Sequence, residues 1–134
     1  GDGFALAKRS HQYSKQQICY SLPYASGNLA VRKVLYCVPV ADGTILSFHS
    51  QIGAEVNANL TSVVVTFERN GATQATHTLN SGNTSDDTTV FAADTLVGGT
   101  TELWVEVEVT AAAATYVGLI TRVEFSQELL EAAA

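Results

Sequence analysis

A chain of 134 residues, 46% of them apolar, is read as one domain able to bury a core without metal or disulfide support, which excludes wholesale disorder and a cysteine-stapled miniprotein. The formal charge of −6 at neutral pH repels nucleic acid, and no apolar run approaches the roughly 18 residues that cross a bilayer, so neither a nucleic-acid partner nor a membrane span is expected. That charge is unevenly spread: up to position 33, five cations (Lys8, Arg9, Lys15, Arg32 and Lys33) stand against Asp2 alone, while beyond it Arg69 and Arg122 stand against 12 carboxylates, giving a basic leader on an acidic body.

Residues 1–17 are polar, mixed in charge and without sustained periodicity, and are read as an N-terminal arm whose cations Lys8, Arg9 and Lys15 are candidate partner contacts. The opening GDGFALAKRSHQ lacks the long apolar stretch of an export signal, so synthesis in the cytoplasm is expected, with Cys19 and Cys37 reduced and buried; their spacing forms no zinc or redox motif. A sandwich domain is expected over 18–126. Residues 18–23 alternate as a short strand, and Pro23, which cannot donate to a ladder, places it at an edge or ends it. In 29–40, Val34, Tyr36 and Val38 share one face and Leu35 and Cys37 the other, the pattern of a strand covered on both sides.

Asp42-Gly43 signals a turn into the strand 44–52, where strict alternation puts Leu46, Phe48, Ser50 and Ile52 inward and Ile45, Ser47, His49 and Gln51 outward. In 60–69, Val63, Val65 and Phe67 make the inner row, and Asn70-Gly71 carries the type I′ signal for a hairpin with the threonine-rich 72–79. Residues 80–87 form a polar loop in which Asn80, Asn83, Asp86 and Asp87 offer hard oxygen ligands but lack the spacing of a calcium loop, so a solvated loop is expected and no metal. A short strand follows at 88–92. The last two strands, 100–110 and 115–126, bury Leu103, Val105, Val107 and Val109 beside Val117, Leu119, Thr121, Val123 and Phe125, and the short link between them predicts a closing hairpin. Residues 127–134 favour helix but are too few to hold one alone, and are read as a tail.

Seven to eight short strands with no internal helix predict an all-β, antiparallel β-sandwich of jelly-roll type. His11, His49 and His77 are scattered, the last two expected to face solvent, and no serine sits in a glycine-framed nucleophile motif, so the expectation is a protein that is not an enzyme and carries no cofactor. Trp104, the only tryptophan, falls with Glu106 and Glu108 on the outer face, which the hairpin extends to Tyr116 and Arg122. This face is expected to be covered, by the chain itself or by a neighbour, because aromatic and arginine side chains concentrate at interfaces; the alternative is a platform on which the indole stacks against a sugar while the carboxylates bond its hydroxyls.

From Asp42 onward the strand rhythm of DGTILSFHSQI, LTSVVVTFERNG, ELWVEVEV and TYVGLITRVEFS resembles jelly-roll domains of the carbohydrate-binding-module and galactose-binding-like type over roughly two thirds of the chain. The compact build, the richness in Ala, Thr, Val and Gly, and the N-terminal arm also look like small jelly-roll domains of tailed-bacteriophage virions, the capsid decoration (cement) proteins and fibre parts. That resemblance implies a non-enzymatic structural protein, made in the host cytoplasm and carried on the virion, binding the capsid shell as a homo-oligomer, a trimer by expectation. The resemblance to carbohydrate-binding modules implies the alternative, a carbohydrate-binding module or an adhesin or fibre tip domain.

Overall fold

The structure, a computed structural model, describes residues 13–53, 59–82 and 84–128. Its elements are eight strands: β1 (Tyr13–Ala25), β2 (Leu29–Cys37), β3 (Gly43–Gln51), β4 (Leu60–Arg69), β5 (Ala72–Leu79), β6 (Asp86–Leu96), β7 (Leu103–Ala111) and β8 (Thr115–Glu128). They form two four-stranded antiparallel sheets in the orders β1-β8-β3-β6 and β2-β7-β4-β5. This is the strand order of a jelly roll, in which the chain passes between sheets at nearly every turn. The inner rows meet in one core. Phe48 of β3 stacks on Phe67 of β4 with ring centroids 5.0 Å apart, and Val63, Val65, Leu103, Val105, Val107, Leu119 and Val123 close around them without exposure.

The expected closing hairpin does not form. β7 lies between β2 and β4, and β8 lies between β1 and β3 in the opposite sheet. Both strands carry a full apolar row, and setting them face to face across the core buries both rows against each other. β4 and β5 are the one pair of consecutive strands that stays in a single sheet. Their turn has the left-handed φ values a type I′ turn requires, 53° at Asn70 and 83° at Gly71, and the Glu102 amide donates to the Asn70 side chain at 2.8 Å.

Two further departures follow from local backbone. A register shift between Ile45 and Ser47 interrupts the alternation in β3, so Ile45 points into the core with no exposure while Leu46 is only half-buried. One extra residue in a strand exchanges the two faces, and a period-two reading cannot see it. At the start of the chain, β1 begins at Tyr13, so residues 13–17 of the expected arm are strand, with Lys15 opposite Ser126 of β8. β8 in turn takes in Gln127 and Glu128 from the expected tail. Residues 1–12 and 129–134 lie outside the described residues.

The two sides of the sandwich are bridged by polar side chains. Between β2 and β8, the half-buried Tyr36 donates its hydroxyl to Thr121, whose own proton goes to the Tyr20 carbonyl at 3.0 Å. Burial pushes the Tyr36 phenol well above its usual range, so it stays a donor. Between β5 and β6 the bridge is His77.

Candidate docking face

The outer face of the β2-β7-β4-β5 sheet is built by register. Lys33 of β2 lies opposite Glu106 of β7, Leu35 opposite Trp104, and Trp104 in turn opposite Glu68 of β4. Lys33 organises what they hold. Its Nζ is 3.1 Å from Glu68 Oε1, 3.7 Å from Glu106 Oε1 and 5.3 Å from the centroid of the Trp104 ring. The indole N–H of Trp104 donates to Glu102 Oε1 at 3.2 Å. Trp104 is therefore half-buried, with one ring face covered by a lysine of its own chain.

Charge on this face is not evenly matched. Glu68 is nearly buried, and its hydrogen bond to Glu106, reinforced by burial and by the like charge, holds the Glu106 carboxyl above the usual carboxylate range despite the opposing pull of Lys33. The hydrogen bond to Glu68 leads the effects that raise Lys33 above its ordinary value, and Lys33 stays protonated. Flanking the cluster, Val31 and Leu35 are 54% and 42% exposed. A shallow groove lined by Val31, Val64, Thr66, Glu106 and Glu108 continues from it along the sheet.

The remaining expected contact residues lie elsewhere. Tyr116 and Arg122 belong to β8 and face outward from the other sheet, on the far side of the sandwich from Trp104. The sequence grouped them because it paired β7 with β8; separated into two sheets, the outer faces of those strands point in opposite directions. Arg122 stands between Cys19 of β1 and His49 of β3, and Lys15 reaches Glu124 at 3.8 Å. Tyr116 lies over a floor of two glycines, where a Cβ on Gly53 would come within 2.7 Å of its ring, and Tyr24 sits opposite it on β1. Tyr24 and Tyr116 are both well exposed. Lys8 and Arg9 lie outside the described residues.

His49 and His77, expected on the surface, are both buried. His77 is only 1% exposed, its Nδ1 2.5 Å from Ser50 Oγ, its Nε2 2.8 Å from Thr89 Oγ1 and 3.8 Å from Asp87 Oδ2, and its ring 5.0 Å from that of Phe48. His49 Nδ1 meets Thr88 Oγ1 at 2.6 Å and Nε2 meets Gln51 Oε1 at 3.0 Å. Sequence reasoning passed over His77 because β5 is polar throughout; counting back in steps of two from Leu79 would have put His77 and Ala75 on the inner row. Ser50 has no exposed surface, so its hydroxyl is a hydrogen-bonding partner of the imidazole sealed from any substrate. The cysteines also differ from expectation: both are free, but Cys19 is exposed on the outer face of β1, and Cys37 is half-buried with its thiol pushed up by burial. Among the described residues, no group of three or more His, Cys, Asp or Glu side chains is arranged to hold a metal ion.

Compared with known proteins, the chain matches no family model and no curated protein by sequence. Among solved structures it is similar to the crystal structure of FLHE, aligned over 87% of this chain and 98% of that chain at 13% identity and a TM-score of 0.48, a likeness too low to assign a family or a function.

Proposed function

We propose that this protein is a non-enzymatic structural module that docks, as a homo-oligomer, on the capsid shell of a tailed-bacteriophage virion. The observation that carries the docking part is the outer face of the β2-β7-β4-β5 sheet, where exposed Val31 and Leu35 flank the tryptophan held by Lys33 and the carboxylates. An aromatic residue among aliphatic neighbours, rimmed by charge, is the composition of a protein interface. Among the described residues, the hydrogen-bonded pair Ser50 and His77 is closed inside the core, out of reach of a substrate. The virion assignment draws on the jelly-roll order together with the basic leader. Many modest contacts, multiplied by oligomerisation, suit attachment to a repeating shell.

In this reading residues 1–12, with Lys8 and Arg9, are the attaching arm, because the chain from Tyr13 onward is already committed to the sheet. Deletion of residues 1–12 is expected to leave the far-ultraviolet circular dichroism spectrum and the melting temperature unchanged while abolishing co-sedimentation with purified capsids. Binding by the full chain is expected to weaken as salt rises from 50 to 500 mM, the response of screened surface charge. Undiminished co-sedimentation of the shortened chain refutes the arm.

A specific observation also favours a second reading, carbohydrate binding. It is the exposed pair of tyrosines, Tyr24 and Tyr116, beside the glycine floor of Gly53 and Gly118. An exposed aromatic ring is a platform for the apolar face of a sugar, whereas the Trp104 ring already carries Lys33. On a glycan array this reading expects a signal that disappears in Tyr116→Ala and survives in Trp104→Ala. Silence from the native protein removes it.

A further inference from the structure

We propose that His77, with Ser50, Thr89 and Asp87, forms an acid-sensitive clasp that closes the β5/β6 side of the sandwich at neutral pH and releases it when the imidazole takes up a second proton. β5 and β6 are edge strands of different sheets, so no ladder hydrogen bonds join them. The imidazole of β5 spans that gap, one nitrogen on Ser50 of β3 and the other on Thr89 of β6. Neutral imidazole has one donor and one acceptor, and two hydroxyls satisfy both. The imidazolium has two donors, so both hydroxyls must accept, and the fully buried Ser50 must turn its own proton away from the ring.

The charged groups around the ring set the direction. Burial opposes protonation most strongly, the Asp87 carboxylate on β6 favours it, and His49 on β3 opposes it; Val65, the partner on β4, carries no charge. The net effect lowers the folded value below that of a free imidazole. Between that lowered value and the unfolded value near 6.5, the unfolded chain binds more protons than the folded one. The contribution to stability is therefore complete above pH about 6.5 and is lost as the pH falls.

The release is local. β5 and β6 keep their own ladders to β4 and β3, and the imidazole bonds of His77 bridge the gap between the two sheets at this side. Parting the clasp uncovers the aromatic row it seals, with Phe48 beside His77 and Phe91 of β6 packed on Phe67 at 5.9 Å. The consequence is a sandwich whose one side opens in mild acid and presents phenylalanine surface while the remainder stays folded.

Hydrogen–deuterium exchange of the full chain, corrected for the intrinsic pH dependence of exchange, tests this directly. Between pH 7.5 and pH 5.0, peptides covering β5 and β6 are expected to lose protection by up to about tenfold per pH unit, while β1 and β8 keep theirs. His77→Gln, which keeps a neutral donor and acceptor, is expected to abolish that dependence, and His49→Gln to retain it. Asp87→Asn, a surface change that removes the carboxylate favouring the folded imidazolium, is expected to leave the onset near pH 6.5 and to carry the loss of protection further as the pH falls, to a larger total than in the native chain. Unchanged β5 and β6 protection in the native protein, the same pH response in His77→Gln, or a total loss in Asp87→Asn no larger than in the native chain overturns the clasp. The native and Asp87→Asn measurements decide the matter even if His77→Gln fails to fold.

Discussion

Phe67→Ala is expected to lower the free energy of unfolding by about 3–5 kcal/mol, a large part of the roughly 5–15 kcal/mol that holds a domain together. Phe67 has no exposed surface and lies where the two sheets meet, stacked on Phe48 and in contact with the rings of Tyr36 and Phe91. Those rings come from β2, β3 and β6, so the cavity left by truncation cannot be filled by one side chain moving in. Chemical denaturation monitored by circular dichroism measures the loss. Leu is the control: Phe67→Leu keeps much of the volume and is expected to cost less than half as much. Equal losses for the two substitutions would show that ring stacking, rather than filled volume, dominates.

Gly43→Ala is the second large effect, at about 3 kcal/mol, and it arises from backbone rather than from the core. Gly43 opens β3 where that strand meets the end of β8, and a Cβ there would sit 1.8 Å from the Ser126 carbonyl oxygen and 2.8 Å from the Gln127 Cα. Neither atom belongs to a side chain that can rotate away, so the strands must separate. The bond from the Glu128 amide to the Asp42 carbonyl, 2.8 Å long, lies in the path of that separation. Gly71→Ala supplies the contrast. Nothing lies within 4 Å of a Cβ at Gly71, so its cost is only the strain of φ at 83°, about 1 kcal/mol. Thermal melts of the two variants are expected to rank in that order.

The sequence made the sandwich legible because its apolar rows alternate so regularly. Val63, Val65 and Phe67, and Leu103, Val105, Val107 and Val109, were placed inward by period alone, and the structure buries every one of them. Asn70-Gly71 announced its turn through chemistry that few other dipeptides share. Pairing was not legible, because an apolar row is buried equally well beside a neighbour in its own sheet or across the core from one. The closing hairpin failed for that reason, and with it the grouping of Trp104 with Tyr116 and Arg122 on one surface. The bulge at Leu46 was lost to the same limit, because it depends on where a partner strand lies, whereas the burial of His77 was within reach of the period of two counted from Leu79. What alternation did locate was Trp104 among carboxylates; that Lys33 covers it required the register of β2 on β7.

The central claim is that the outer face of the β2-β7-β4-β5 sheet is a docking surface, and charge placed on its exposed apolar residues tests it most directly. The measurement is co-sedimentation of the Val31→Asp, Leu35→Asp double variant with purified capsids, beside a melt that verifies its fold. Both side chains point to solvent, so the melting temperature is expected to change little. Attachment is expected to fall at least tenfold, as when a desolvated apolar contact is replaced by charge. A folded double variant that attaches as tightly as the native chain would contradict the assignment of this face.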